Sequence, residues 1–169
     1  DISAMNDGTI TVTVVETDSS GNVGAPVMTT FAHDKSAPAG LTITTPIEGD
    51  NVINAGEDDH VEIRGRGVED GSTVLVTISD GTTTITVMTA SDGDGDGGWA
   101  IPPTDLSGLL DGPLTVTAVE TDAAGNAGPA VTVPLTKDTT GPSTLLVDTP
   151  IEGDNVVNAA EINDVSITG

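Results

Sequence analysis

The chain has 169 residues, enough for one ordinary domain with some to spare, and carries 27 acidic against 4 basic side chains, a net charge of −23. Four scattered cations make no basic patch, which excludes a nucleic-acid or anionic-membrane partner. No apolar run reaches the roughly 18–20 residues of a membrane span, so membrane insertion is not expected either. At 36% hydrophobic the chain is too apolar for an acidic disordered tail. One Phe, one Trp and no Tyr stand against 27 Thr, mostly alternating with Val and Ile. That is the composition of β-sandwich strands around a small core, because β-branched side chains suit a pleated surface. There is no cysteine, and a secreted domain without disulfides must find its stability elsewhere, bound metal being a common substitute.

In chain order, the first 39 residues repeat later in the sequence. ETDSSGN at 16–22 falls on ETDAAGN at 120–126, and Asp34 and Pro38 fall on Asp138 and Pro142. TPIEGDNVINA at 45–55 falls in turn on TPIEGDNVVNA at 149–159. At an offset of 104 residues the 65 overlapping pairs align without a gap, and 32 of them are identical. A fixed period of this kind is the signature of a tandem array. Residues 1–39 are therefore read as the C-terminal part of a preceding repeat, 40–143 as one complete repeat, and 144–169 as the N-terminal strands of the next. Each flank lacks most of the strands needed to close a core.

Within the complete repeat, alternating runs predict strands near 41–45, 60–66, 73–79, 83–89, 98–102, 113–121 and 129–137. Turn chemistry separates them: EGDN, EDGS, SDGT, SDGDGDGG, LSGLLDG and AAGN. Seven short strands in about 100 residues predict an all-β, immunoglobulin-like β-sandwich in tandem repeats of 104 residues. The segments KSAP (35–38) and TTGP (139–142) read as short, Pro-containing linkers, stiffer than a Gly/Ser tether.

Following the strand directions, loops alternate between the two ends of the sandwich and sort the carboxylates into two poles. The upstream pole collects Glu69, Asp70, the Asp92–Asp96 loop, and Asp122 with Asn126, and the linker residue Asp34 arrives there. The downstream pole collects Glu48, Asp50, Glu57, Asp58, Asp105, Asp111 and Asp138. Two like charges about 6 Å apart repel by roughly 2–3 kcal/mol at an effective dielectric near 20, so such clusters push neighbouring repeats apart. Oxygen-only clusters without His or Cys are what Ca2+ takes, with six to eight carboxylate, carbonyl and water ligands. The metal-ligand candidates are Asp34, Glu48, Asp50, Glu57, Asp70, Asp92, Asp94, Asp96, Asp122 and Asp138. The competing reading is that Asp and Asn occupy these loops because they favour turns and that surplus acid keeps the chain soluble.

Asp92-Gly-Asp-Gly-Asp-Gly matches the first half of an EF-hand loop, but the twelfth position is Pro103 instead of Glu and no helices flank it. Two readings stand at this loop: a wrap around calcium completed by an outside ligand, or a Gly-rich hairpin tip. Asp122-Ala-Ala-Gly-Asn and its copy Asp18-Ser-Ser-Gly-Asn read as tight turns.

The order of motifs is D-x-x-x-P linker, EGDNVINAxE, a turn before Trp99, DLxxLxDG, TVTAxExD and D-x-A-G-N. It resembles the bacterial Ig-like repeats of giant RTX-type adhesins, biofilm-associated or surface-binding proteins exported by type I secretion. The resemblance covers the whole chain. It implies a non-enzymatic extender module on the bacterial cell surface, stiffened by Ca2+ near the domain junctions, whose partners are neighbouring repeats of the same chain. It also implies a calcium role for Asp122, since this loop lies beside the linker Asp in that family. The family's short D-G-x-W turn is here expanded to Ser91–Gly98 before Trp99, so that turn's role does not carry over.

Catalytic material is lacking. His33 and His60 are replaced by Lys137 and Asp164 in the other copies and read as surface residues. Trp99, on an alternating strand, reads as core. The alternative function is a module that itself grips polysaccharide or a surface protein, which wants an exposed aromatic or apolar patch. A third reading, an acidic cell-wall or S-layer scaffold, differs mainly in lateral assembly.

Overall fold

A computed structural model describes all residues except 92–94. The chain divides into two compact units, residues 1–139 and 140–169. In the first unit, β1 (Gly8–Val14) and β2 (Val27–His33) form an antiparallel hairpin running in register from Gly8↔His33 to Val14↔Val27. The sandwich follows: β3 (Thr42–Ile43), β4 (Val52–Ile53), β5 (Arg64–Arg66), β6 (Thr73–Ser79), β7 (Thr84–Ala90), β8 (Trp99–Ala100), β9 (Gly112–Thr121) and β10 (Val131–Lys137).

Two sheets enclose the core. One has five strands in the order β4-β10-β9-β6-β7, and the other has three in the order β3-β5-β8. All pairings are antiparallel except β4 with β10, where Thr136 faces Val52 and Lys137 faces Ile53 in parallel. Consecutive strands shared between two packed sheets in this order make the fold immunoglobulin-like, as the strand spacing predicts. Period-two alternation decides which side chains go inward. Val74, Val76 and Ile78 of β6 and Leu114, Val116 and Ala118 of β9 are buried, while Thr73 and Leu75 or Thr115 between them are exposed. Ile43, Trp99 and Leu135 join the same cluster from the other strands.

Trp99 is a core residue, 3% exposed, with its indole N–H donating to Thr42 O at 3.2 Å. Its seat exists because residue 65 is glycine. A Cβ there would lie 1.9 Å from Thr42 O and 2.6 Å from the Trp99 ring.

Three differences from the sequence reading have physical causes. The strand at 52–53 has no periodic signal, because two residues cannot show a period; it exists only because β10 offers a free edge. The expected strand over 60–66 narrows to 64–66, with one lone bridge from Val61 to Thr104 upstream of it. His33, read as a surface residue, ends β2 with its side chain 13% exposed and Nδ1 3.2 Å from Asn6 O.

The second unit holds a 3-10 turn at Ile151–Gly153 after a cis Thr149–Pro150 bond, as Ile47–Gly49 follows cis Thr45–Pro46 in the first. Its bonds copy those of the first unit 104 residues earlier. Ile151 N donates to Asn155 Oδ1 at 2.8 Å, as Ile47 N does to Asn51 Oδ1. Ser166 N donates to Glu152 Oε1, as Glu62 N does to Glu48 Oε1. Asp148 N donates to Thr168 O, as Thr44 N does to Arg64 O.

Candidate functional site

At the upstream pole the inward alternation of β9 continues past Ala118 onto an acid. Glu120 is 1% exposed. Its Oε1 accepts from the backbone N–H of Glu69 at 2.7 Å, and its Oε2 has no hydrogen-bond partner among the described residues. A buried oxygen left without a donor is costly, and more so when it carries charge. Glu120 was not among the sequence-derived candidates. Its signal was there: Leu114, Val116, Ala118 and Glu120 share one parity, and Glu16 takes the same place in the preceding copy.

Two residues on, Asp122 organises the loop after β9. Its Oδ1 accepts from the N–H groups of Asn126 and Ala124 at 2.8 and 2.9 Å, and its Oδ2 accepts from the Asn126 side-chain amide at 2.9 Å. The Asn126 side chain and these N–H groups hold the Asp122 carboxyl below the usual carboxylate range. Asp18 with Asn22 does the same in the copy. The turn reading of this motif is therefore correct on geometry. The Asn126 amide also donates to Asp34 O at 3.4 Å. A Cβ on Gly128 would lie 2.7 Å from Pro38 O, so the linker lies directly against this loop, with Pro38 buried.

The other upstream loops gather through backbone bonds. Val68 N donates to Gly97 O at 3.1 Å, and Ser91 N donates to Ser72 O at 3.2 Å. Asp70 sits exposed on the turn after Glu69. Asp96 pairs with Arg66 at 3.0 Å and accepts from Gly98 N at 2.7 Å. Asp92 and Asp94 lie outside the described residues, as does the core of the EF-hand-like stretch.

At the downstream pole most candidate carboxylates accept a hydrogen bond from a backbone N–H or a hydroxyl. Glu48 Oε1 accepts from Glu62 N at 2.9 Å, Asp50 Oδ1 from Val52 N at 2.8 Å, and Glu57 Oε2 from Asn54 N at 3.1 Å. Asp105 accepts from Ser107 N at 2.8 Å, and Asp111 from the Thr139 hydroxyl at 2.9 and 3.1 Å. Asp138 donates its own N–H to Ile53 O at 2.9 Å where β10 ends. Turn chemistry thus accounts for Asp50, Glu57 and Asp105, whereas Glu48 and Asp111 tie together segments 14 and 28 residues apart. Neither role exhausts them, because a carboxylate offers about four lone-pair sites and most of these bonds use one.

Among the described residues no three His, Cys, Asp or Glu converge closely enough to hold a metal ion by themselves. The donor chemistry at the upstream pole nonetheless fits a hard cation. Among the described residues the donors there are oxygens, and the buried Glu120 Oε2 has no hydrogen-bond partner. Calcium completes its shell with carbonyl and water oxygens, so few carboxylates suffice.

No protein-family model matches the chain, and no curated protein does. Solved structures do. The chain is 28% identical, with a TM-score of 0.50, to a Ca2+-stabilised adhesin with which an Antarctic bacterium reaches out and binds ice; 95% of this chain and 40% of that one are covered. A tetra-tandem repeat from the extending region of a large adhesion protein is 29% identical, covering 82% of this chain and 34% of that one, TM-score 0.47. A bacterial immunoglobulin-like domain from the M. primoryensis ice-binding adhesin is 25% identical, covering 61% of this chain and all of that one, TM-score 0.42. The chain spans about two fifths of the length of the first of these. It is similar to the Ig-like repeats of large bacterial adhesins, as its motifs indicate.

Proposed function

We propose that this chain is a calcium-stiffened extender segment of a large bacterial surface adhesin. Its repeats run 1–39, 40–143 and 144–169, with tandem neighbours as its partners, and it acts mechanically, not as an enzyme. The observation that carries the reading is Glu120: a buried carboxylate with one oxygen unpaired, two residues before the loop against which the linker packs. Ca2+ bound there supplies the positive charge that oxygen lacks. Glu120 would anchor it together with carbonyl and water oxygens, and Asp34, Asp70 and Asp122, with Asp92, Asp94 and Asp96 of the adjoining loop, are the candidates for its further ligands. At the other pole Glu48, Asp50, Glu57 and Asp138 are proposed for the same task. Neutralising the clustered carboxylates removes their mutual repulsion, and ligands drawn from both linker and sandwich leave the linker one preferred direction. The resemblance of its TVTAxExD and D-x-A-G-N motifs to adhesin repeats supports the further reading of a cell-surface adhesin of RTX type, exported by type I secretion and serving biofilm formation.

The test is small-angle scattering on three or four tandem repeats of this sequence. The maximum dimension falls when chelator replaces calcium, and Asp138→Ala with its equivalents in every linker produces the same fall while each sandwich stays folded. The same flexible profile with and without calcium refutes the extender reading.

A further inference from the structure

Lys137 is the last residue of β10 and shares the inward parity of Leu135, yet it is a cation only 3% exposed. Its ammonium donates to three backbone carbonyls of the loop before β9: Leu106 O at 3.0 Å, Ser107 O at 3.2 Å and Leu109 O at 2.8 Å. The Asp58 carboxylate lies 3.4 Å away, itself 18% exposed. An ammonium has three donors, and here each finds an oxygen, with a carboxylate to balance the charge. The loop is turned for this by the Leu109 N–H bond to Leu106 O, and Leu106 N ties it to Asp58 O at 2.7 Å.

The same loop in the preceding copy draws a lysine by another route. Counting back 104 residues, Ser107 and Leu109 become Ser3 and Met5, and Lys137 becomes His33. His33 does not reach those carbonyls in any bond the structure shows. Lys35, two residues further on, does: its Nζ donates to Ser3 O at 3.2 Å and to Met5 O at 2.8 Å. Two lysines at non-equivalent positions therefore converge on equivalent carbonyls. Two of the four basic side chains in a chain of net charge −23 are spent on this one feature. Packing alone does not ask for that; a concentration of carbonyl oxygen at an acidic pole does.

The geometry points to a second cation site, distinct from the upstream calcium region, whose ligand is an alkylammonium supplied by the chain itself. The carbonyls of Leu106, Ser107 and Leu109 with the Asp58 carboxylate form the site, and Lys137 fills it. The consequence is that β10, from whose end the linker departs, is fastened to the loops at 58 and 106–109 without metal.

Every melt in the test is run in chelator, apart from one calcium control on Lys137→Ala, so its outcome is separate from the calcium reading. Lys137→Met keeps the hydrocarbon stem and removes the charge. Breaking a buried pair while leaving its partners in place lowers the melting temperature by roughly 10–20 °C. Lys137→Ala opens the site, and n-propylammonium chloride, which restores the missing three carbons and nitrogen, raises its melting temperature while leaving the unaltered chain unmoved. Equal n-propanol does not. If Lys137→Ala is unfolded on its own, recovery of its strand circular dichroism with propylammonium is the same readout. Lys137→Met melting with the unaltered chain, or propylammonium and propanol acting alike on Lys137→Ala, overturns the proposal. So does full rescue of Lys137→Ala by calcium, which would make the site a metal site that lysine merely blocks.

Discussion

Replacing Glu120 by Gln separates a calcium ligand from a structural acid, because the two roles predict opposite signs. The Gln carbonyl still accepts the Glu69 N–H that Glu120 Oε1 accepts at 2.7 Å, so the local bond survives. What disappears is the charge on a side chain 1% exposed with one oxygen unpaired. In chelator that oxygen costs the unaltered chain about 1–3 kcal/mol, and a neutral amide is cheaper to bury than a carboxylate. Glu120→Gln is therefore at least as stable as the unaltered chain under chelation. In calcium the order reverses. Extracellular calcium modules bind with dissociation constants of about 10⁻⁴–10⁻³ M, and ligand at 100 times its dissociation constant adds about 2.7 kcal/mol. For a domain of this size that is roughly 10–20 °C in melting temperature, which Glu120→Gln forfeits. Thermal melts of both chains in 10 mM calcium and in chelator, at matched ionic strength, measure the crossing. Equal destabilisation in both conditions refutes the argument, since Glu120 is then only a partner for the Glu69 N–H.

Two further predictions concern the fold and its acid limb. Gly65→Ala places a Cβ 1.9 Å from Thr42 O and 2.6 Å from the Trp99 ring, so it costs about 3 kcal/mol, the upper end for overpacking. A lower urea midpoint with a red-shifted Trp99 emission checks this, and an unchanged midpoint refutes the packing described. Asp80 accepts N–H bonds from Leu110, Thr83 and Thr82 at 2.9, 2.6 and 2.7 Å, which hold its carboxyl below the ordinary value of 3.8. Because the folded value is the lower one, the stabilisation is complete above pH 3.8 and is lost as pH falls through the depressed value. The stability gap between the unaltered chain and Asp80→Ala stays constant from pH 7 to 5 and shrinks below 3.8; a gap that holds or widens down to pH 2 contradicts this assignment.

Much of the molecule was legible in the sequence because strands and turns are local. The alternation of Val and Ile with Thr over 73–79 and 113–121 specifies which face is buried, since a one-residue slip would put every apolar side chain in water. Asp-x-x-Gly-Asn needs only its own five residues to close its turn, and it does so identically at 18–22 and 122–126. The likeness between TPIEGDN at 45–51 and 149–155 extends to the positive φ of Glu48 and Glu152, which again depends on neighbours a few residues away. Even the gathering of Asp34 with the Asp122 loop follows from counting strand directions.

What only the tertiary structure decided is where charge goes inside. Glu120 and Lys137 stand at opposite ends of paired strands, each one alternation step beyond an apolar run, and in sequence both look like the polar residue that stops a strand. Their burial depends on loops distant along the chain: Glu120 on the turn at 69, Lys137 on the loops at 58 and 106–109. Likewise β4 is two residues that become a strand only because β10 presents an edge to them. Strand parity points both side chains inward, but the free energy of a buried charge is set by the oxygens and N–H groups that surround it in space, and these come from loops that the strand's own pattern does not name.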